Sequence, residues 1–194
     1  MIEVEKKFKL SGQDIERLTR DAEFLKERTF TDIYFDDEKY SLTSNDKWLR
    51  ARDGLYELKL PMHAGVDRKA DQYDEIEDEQ KIREVLNIPT DQKIDEIYAP
   101  FCNVTTTRKK YKKDQFIIDL DDVDYGDFKY SLGEIELLVN NQSDIEKAIA
   151  EIMDFANKYQ LSVAMVRGKV IEYLKQVKPE HYQALIKAKV VKDF

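Results

Sequence analysis

Cysteine and histidine are nearly absent from this 194-residue chain, and the shortage narrows the chemistry at once. The single Cys102 excludes an intramolecular disulfide. With His63 and His181 as the only histidines, there are too few soft ligands for a Cys/His zinc site. A reducing, cytoplasmic compartment is the default expectation. No apolar run approaches the ~18–20 residues that cross a bilayer. Glu3 and Glu5 stand where a basic-then-apolar leader would begin, so neither a membrane partner nor a signal is expected. The six glycines and four prolines cluster into no linker, and no repeat is visible, so residues 1–194 read as one domain. A basic surplus is missing too: the formal net charge is −8, which argues against general nucleic-acid binding. It leaves room for a small polyanion held by a local group of arginines and lysines.

Apolar residues make up 42% of the chain and charged residues 37%, spread throughout, which fits a folded domain rather than a disordered one. Segment 2–10, IEVEKKFKL, alternates apolar and charged side chains with the period of a strand. Ser11 and Asp14 have capping-box spacing, and Ile15, Leu18, Ala22 and Leu25 continue at helical intervals. TDIYFD (31–36), KWLRARD (47–53) and LYELKLP (55–61) read as strands, the last two joined by an Asp53-Gly54 hairpin turn. The stretch 63–80 is polar and loop-like around a short strand at 73–76, and a short helix is expected over 79–87. Strands follow at 101–112, 115–124 and 130–139, then a helix capped by Ser143 with Glu146, and two helices near 167–177 and from Pro179. The fold class is α+β, antiparallel, with helices at both ends.

The polar faces of these strands are unusual. Wet sheet faces normally mix in threonine, serine and amides. Here alternate positions hold acid pairs (Glu3/Glu5, Asp119/Asp121, Glu134/Glu136) or a base pair (Arg50/Arg52), with Lys7, Glu57, Lys59 and Arg108 nearby in the pattern. Like charges two apart on one strand repel unless something of opposite sign lies between them. Acidic pairs suit a hard divalent cation, and arginine pairs suit phosphate. A sheet curled into a barrel would turn these faces inward, toward a metal-complexed polyphosphate. Trp48 fits either packing or ligand stacking, and Tyr34 reads as structural on composition. His63 and His181 read as surface residues, Cys102 as a buried small apolar group, and KKYKK (109–113) as a solvated strand end.

On these residues the chain resembles the CYTH, or triphosphate tunnel metalloenzyme, superfamily. The E-x-E-x-K signature at Glu3, Glu5 and Lys7 is followed in family order by TDIYFD, WLRARDGLYELKLP, IIDLDDVDYG, GEIELLV and GKVIEYL with PEHYQALI. Within the superfamily the thiamine triphosphatase branch is the most similar. The resemblance implies a closed eight-stranded antiparallel barrel and hydrolysis of a triphosphate, thiamine triphosphate first. Tripolyphosphate hydrolysis, class IV adenylate cyclisation and non-catalytic polyphosphate or nucleotide binding are the alternatives. It further implies Glu3, Glu5, Asp119, Asp121, Glu134 and Glu136 as metal ligands, for magnesium or alternatively manganese. Lys7, Arg50, Arg52, Arg108 and Lys169 would hold the phosphates, Trp48 would stack on the thiamine end, and Tyr34 with Lys59 would activate water. The partner is a small-molecule triphosphate, and a monomer is expected, with a dimer as the alternative.

Overall fold

A computed structural model describes residues 2–193. Alternation makes β1 (Ile2–Phe8), and the Ser11–Asp14 capping box opens α1 (Gly12–Thr19). That helix stops earlier than its apolar spacing suggests. Asp21 takes a positive φ of 59°, and the Lys113 ammonium bonds the carbonyls of Arg17, Leu18 and Arg20 at the helix end. Ala22 therefore lies in the turn and Leu25 in β2 (Glu23–Asp36), which starts eight residues before the expected position at residue 31. The hairpin β3 (Trp48–Arg52) and β4 (Leu55–Pro61) turns through Asp53 and Gly54, both at positive φ, as the D-G pair requires.

Then come β5 (Asp71–Ile76), α2 (Glu79–Leu86), the short α3 (Ile94–Ile97), β6 (Ala99–Lys113), β7 (Phe116–Asp124) and β8 (Lys129–Val139). Finally α4 (Ile145–Lys158), α5 (Lys169–Val177) and α6 (Pro179–Lys187) complete the chain. The cap expected of Ser143 and Glu146 is not formed: a 3₁₀ turn over Gln142–Asp144 leads directly into α4. Among the described residues eight strands close into an antiparallel barrel in the order β1-β5-β4-β3-β2-β6-β7-β8, flanked by six helices. Among the described residues no helix is long and apolar enough to cross a membrane.

The chain divides into two compact units. The first comprises Met1–Thr29, Lys69–Gln72 and Thr105–Lys169. Here Glu5 lies opposite Glu136, Lys7 opposite Glu134 and Asp119 opposite Glu134. Val4, Ile118, Ile135 and Leu137 alternate with these and are buried, as is the apolar stripe of α4, which lies against β1 and β8. The second comprises Phe30–Arg68, Tyr73–Val104 and Val170–Phe194. Its core joins Leu49, Ala51, Leu58 and Ile76 from the strands to Ile82, Ile88 and Ile94. In both units the apolar half of each strand is spent on the core, so the charged half has to be housed on the opposite face.

Candidate functional site

In the first unit seven carboxylates share one strand face with three basic side chains. Arg108 is the hub. Its Nε and Nη2 donate to Asp121 Oδ1 and Oδ2, both at 2.6 Å; Nη1 donates to Asp119 at 2.5 Å, and Nη2 also to Glu134 at 2.7 Å. Lys110 bonds Asp119 and Glu136, each at 3.0 Å. Lys7 bonds Glu5 at 2.5 Å and Asp71 at 2.8 Å. Burial opposes the Lys7 charge, yet Asp71, Glu5 and Glu134 hold its ammonium well above the usual lysine range.

The carboxylates still outnumber the cations. Carboxylate oxygens of Glu3, Glu5 and Glu136 lie within 4.8 Å of one another. Burial, then Asp119 and Glu3, push the Glu136 carboxyl up to about 8, against the pull of Lys110. Burial also raises Asp119, although Arg108 and Lys110 draw it the other way. Asp119 is fully buried, and its Oδ1 has no hydrogen-bond partner among the described residues. An orphaned carboxylate oxygen beside three converging carboxylates, one of them raised, is a donor set that could hold a hard cation. The donor set is all oxygen, which fits magnesium or manganese rather than zinc. The six carboxylates expected to bind metal divide accordingly. Glu3, Glu5 and Glu136 converge, with Asp119 supplying the open oxygen, whereas Asp121 and Glu134 are engaged by Arg108.

Lys169, the first residue of α5, is buried with Nζ 3.4 Å from Thr106 Oγ1. The preceding segment is strapped down by two tyrosines: Tyr125 donates to the Lys169 carbonyl at 2.6 Å and Tyr130 to that of Arg167 at 2.8 Å. Gly168 lies so close to Lys7 that a Cβ there would stand 3.0 Å from Lys7 Cε.

In the second unit the register sets Tyr34 opposite Arg50, Asp32 opposite Arg52, Arg50 opposite Glu57 and Trp48 opposite Lys59. Arg52 grips the fully buried Asp32 with Nε at 2.8 Å and Nη2 at 3.2 Å, its guanidinium 4.4 Å from the Phe30 ring. Arg50 bonds Glu57 at 2.5–2.6 Å. Burial and the neighbouring Asp32 push the Tyr34 phenol up to about 12, although Arg50 bonds it and, with Arg52, pulls the other way. Lys59 pairs with Glu75 at 2.6 Å. Trp48 is buried, its indole N–H given to Asp46 at 2.8 Å.

Several participants escape sequence reading. Lys110 belongs to the charged face rather than to a solvated end; it lies two residues from Arg108, so strand alternation alone could have placed it. Asp32, Asp71 and Glu75 act as counter-ions that only the register reveals, and Glu57, already visible in the strand pattern, proves to be the partner of Arg50. Neither histidine is a surface residue, because each finds a specific partner: His181 is buried and bonds Thr43, and His63 is half-buried with its ring turned in to bond Asp46.

The CYTH domain family matches residues 1–167. The human thiamine-triphosphatase is 30% identical, with 96% of this chain and 90% of the human protein covered. Among solved structures, the PH1819 protein of Pyrococcus horikoshii OT3 superposes with a TM-score of 0.67 at 23% identity, covering 90% of this chain and 99% of that one. HpAC1 of Hippeastrum, in which triphosphatase activity is dominant, superposes with a TM-score of 0.57 at 16% identity, covering 90% of this chain and 95% of that one. With its barrel, its paired charges and its matched span taken together, the chain belongs to the CYTH domain family.

Proposed function

We propose that this protein hydrolyses a triphosphate with the help of a divalent metal, and that thiamine triphosphate is its preferred substrate. The observation that carries the reading is the group Glu3, Glu5 and Glu136 beside the orphaned Asp119 oxygen, in a chain of this family. Similarity to the human thiamine-triphosphatase over 96% of the chain supports the choice of substrate.

Hydrolysis of a triphosphate puts charge on the transferring phosphoryl oxygens and the leaving bridge oxygen, so the protein's task is positioning and charge neutralisation. Magnesium held by Glu3, Glu5, Glu136 and Asp119 would supply Lewis-acid neutralisation of phosphate oxygens. Arg50, Arg52, Arg108, Lys7 and Lys169 bind the phosphates. The guanidinium forks of Arg52 and Arg108 already hold bidentate carboxylates, so each presents a pair of parallel donors suited to two oxygens of one phosphate. Lys59 takes the proton of the attacking water, and Tyr34, whose phenol stays protonated, hydrogen-bonds in support. Trp48 lies against the organic end.

The test is phosphate release from thiamine triphosphate, tripolyphosphate and ATP side by side, with magnesium and with excess chelator. Metal-dependent release that is fastest from thiamine triphosphate is expected. Release that is fastest from tripolyphosphate would make the protein an inorganic triphosphatase, and cyclic AMP from ATP a cyclase. Binding without release would leave a non-catalytic polyphosphate barrel.

A further inference from the structure

Asp46 ends the 3₁₀ turn Thr43–Asn45 in a left-handed conformation, φ 57° and ψ 27°, with its side chain buried. Its Oδ1 accepts from the Trp48 indole N–H and from the Tyr73 hydroxyl, both at 2.8 Å. Its Oδ2 accepts from His63 Nε2 at 2.8 Å, with Arg68 3.9 Å away. The His63 and Tyr73 rings meet edge to face at 5.1 Å. One carboxylate thus fixes three rings from three separate stretches of chain: β3, β5 and the irregular segment after β4. The far side of the group touches the reacting machinery, since Lys59 lies opposite Trp48 in register and its ammonium stands 5.6 Å from the Tyr73 ring.

This hydrogen bonding has a chemical consequence. The indole N–H and the phenol are both committed to Asp46, so these rings meet a ligand with faces and edges rather than with polar handles. Such a surface discriminates poorly among neutral hydrogen-bonding bases and favours a flat, positively charged ring, for which tryptophan offers the strongest π face. The N–H bond to Asp46 fixes the orientation of the indole plane, and with it the face offered for stacking.

We propose that Asp46 is a positioning residue for leaving-group selectivity, holding Trp48, Tyr73 and His63 as one aromatic wall for a triphosphate ester that carries a cationic heteroaromatic group. The inference rests on the triphosphatase reading above and adds to it the residue that sets substrate class.

Because Asp46 has positive φ, Asp46→Gly removes the carboxylate without backbone strain, and Asp46→Asn keeps an acceptor in a conformation asparagine tolerates. The measured quantity is the ratio of kcat/KM for thiamine triphosphate to kcat/KM for tripolyphosphate, which has no ring. Asp46→Gly should lower that ratio about tenfold, mainly through KM for the organic substrate, and Asp46→Asn should recover most of it. Emission from Trp48, the chain's only tryptophan, should shift in Asp46→Gly and stay near wild type in Asp46→Asn. Should Asp46→Gly fail to fold, His63→Ala should lower the ratio about threefold. An unchanged ratio, or equal losses on both substrates, makes Asp46 a structural anchor of the 62–70 segment and overturns the proposal. If wild-type protein cleaves tripolyphosphate and no organic triphosphate, the selectivity inference falls while the triphosphatase reading stands; if it cleaves neither, both fall.

Discussion

Arg108 grips Asp121 through two parallel bonds of 2.6 Å while its remaining donors hold Asp119 and Glu134. A single guanidinium therefore balances three carboxylates on adjacent strands, two of them almost wholly buried. It is a structural counter-ion and an expected phosphate ligand at once. Arg108→Ala should cost about 3–5 kcal/mol of stability, the usual result of stripping a buried ion pair of one partner, in addition to weakening triphosphate binding. Chemical denaturation with and without magnesium checks both parts. Added magnesium should restore more stability in the variant than in wild type, and equal restoration would mean that these carboxylates do not share the metal's environment.

The raised Glu136 carboxyl makes a second prediction about metal. With its carboxyl at about 8, the folded protein binds more protons than the unfolded chain between the ordinary glutamate range and pH 8, so this group's contribution to stability declines as pH rises through that window. A divalent cation needs the carboxylate and should bind more tightly over the same interval. The rise in melting temperature on adding magnesium should therefore grow between pH 6 and pH 9. Glu136→Gln should flatten that growth. A magnesium effect independent of pH in wild-type protein would remove Glu136 from the ligand set.

The sequence is most legible where local pattern and global role coincide. The period-two charges of Glu3, Glu5 and Lys7, the Asp53-Gly54 turn and the Arg50/Arg52 pair each follow from short-range rules, and the barrel places them as those rules require. It is least legible where tertiary partners decide. Residues 23–29 of β2 are exposed almost throughout, so no burial pattern marks them as a strand, and Ala22 and Leu25 happen to fit a helix. What holds them extended is pairing with β6, seen in the Phe24–Tyr111 ring contact and the Thr29–Thr107 hydroxyl pair. For the histidines the deciding partners are Asp46 and Thr43, 17 and 138 residues away in sequence. The acid and base pairs announce a charged site, but their division into a converging carboxylate group and arginine-held counter-ions depends on cross-strand register, which composition does not contain.

His181 gives a prediction about acid stability. Its ring stacks 3.9 Å from Tyr40, meets Phe101 edge-on at 4.8 Å and bonds Thr43 at 2.7 Å. Burial pushes it down to about 4, with Asp36 pulling upward and Lys178 downward. The unfolded chain thus takes up a proton in the ordinary histidine range that the folded protein accepts only near pH 4. Stability from this residue is complete above pH 6.5 and declines as pH falls from 6.5 toward 4. In His181→Gln the loss of melting temperature over that interval should be smaller than in wild type, although the variant starts lower at pH 7. Parallel profiles for the two proteins would show that other groups carry the acid sensitivity.

The last prediction concerns Lys59. Its ammonium lies 2.6 Å from the Glu75 carboxylate, an ion pair. A lysine in that state is a good phosphate clamp and a poor base, so the two roles make opposite demands on Glu75. If Lys59 is the base, the proton must leave against the pull of that carboxylate, and Lys59→Ala should lower kcat by ~10²–10⁴-fold, more than any single arginine variant. Lys59→Arg keeps the charge but cannot release a proton. It should bind substrate nearly normally and turn over slowly. Glu75→Gln then separates the roles further. Without the carboxylate Lys59 deprotonates more readily, so the rising limb of the kcat–pH profile should move to lower pH. A clamp would instead show a higher KM and an unmoved limb. Retention of most of the wild-type kcat in Lys59→Arg, with that limb fixed in Glu75→Gln, would assign Lys59 to phosphate binding alone. The proton would then have to pass to one of the carboxylates of the Glu3, Glu5 and Glu136 group.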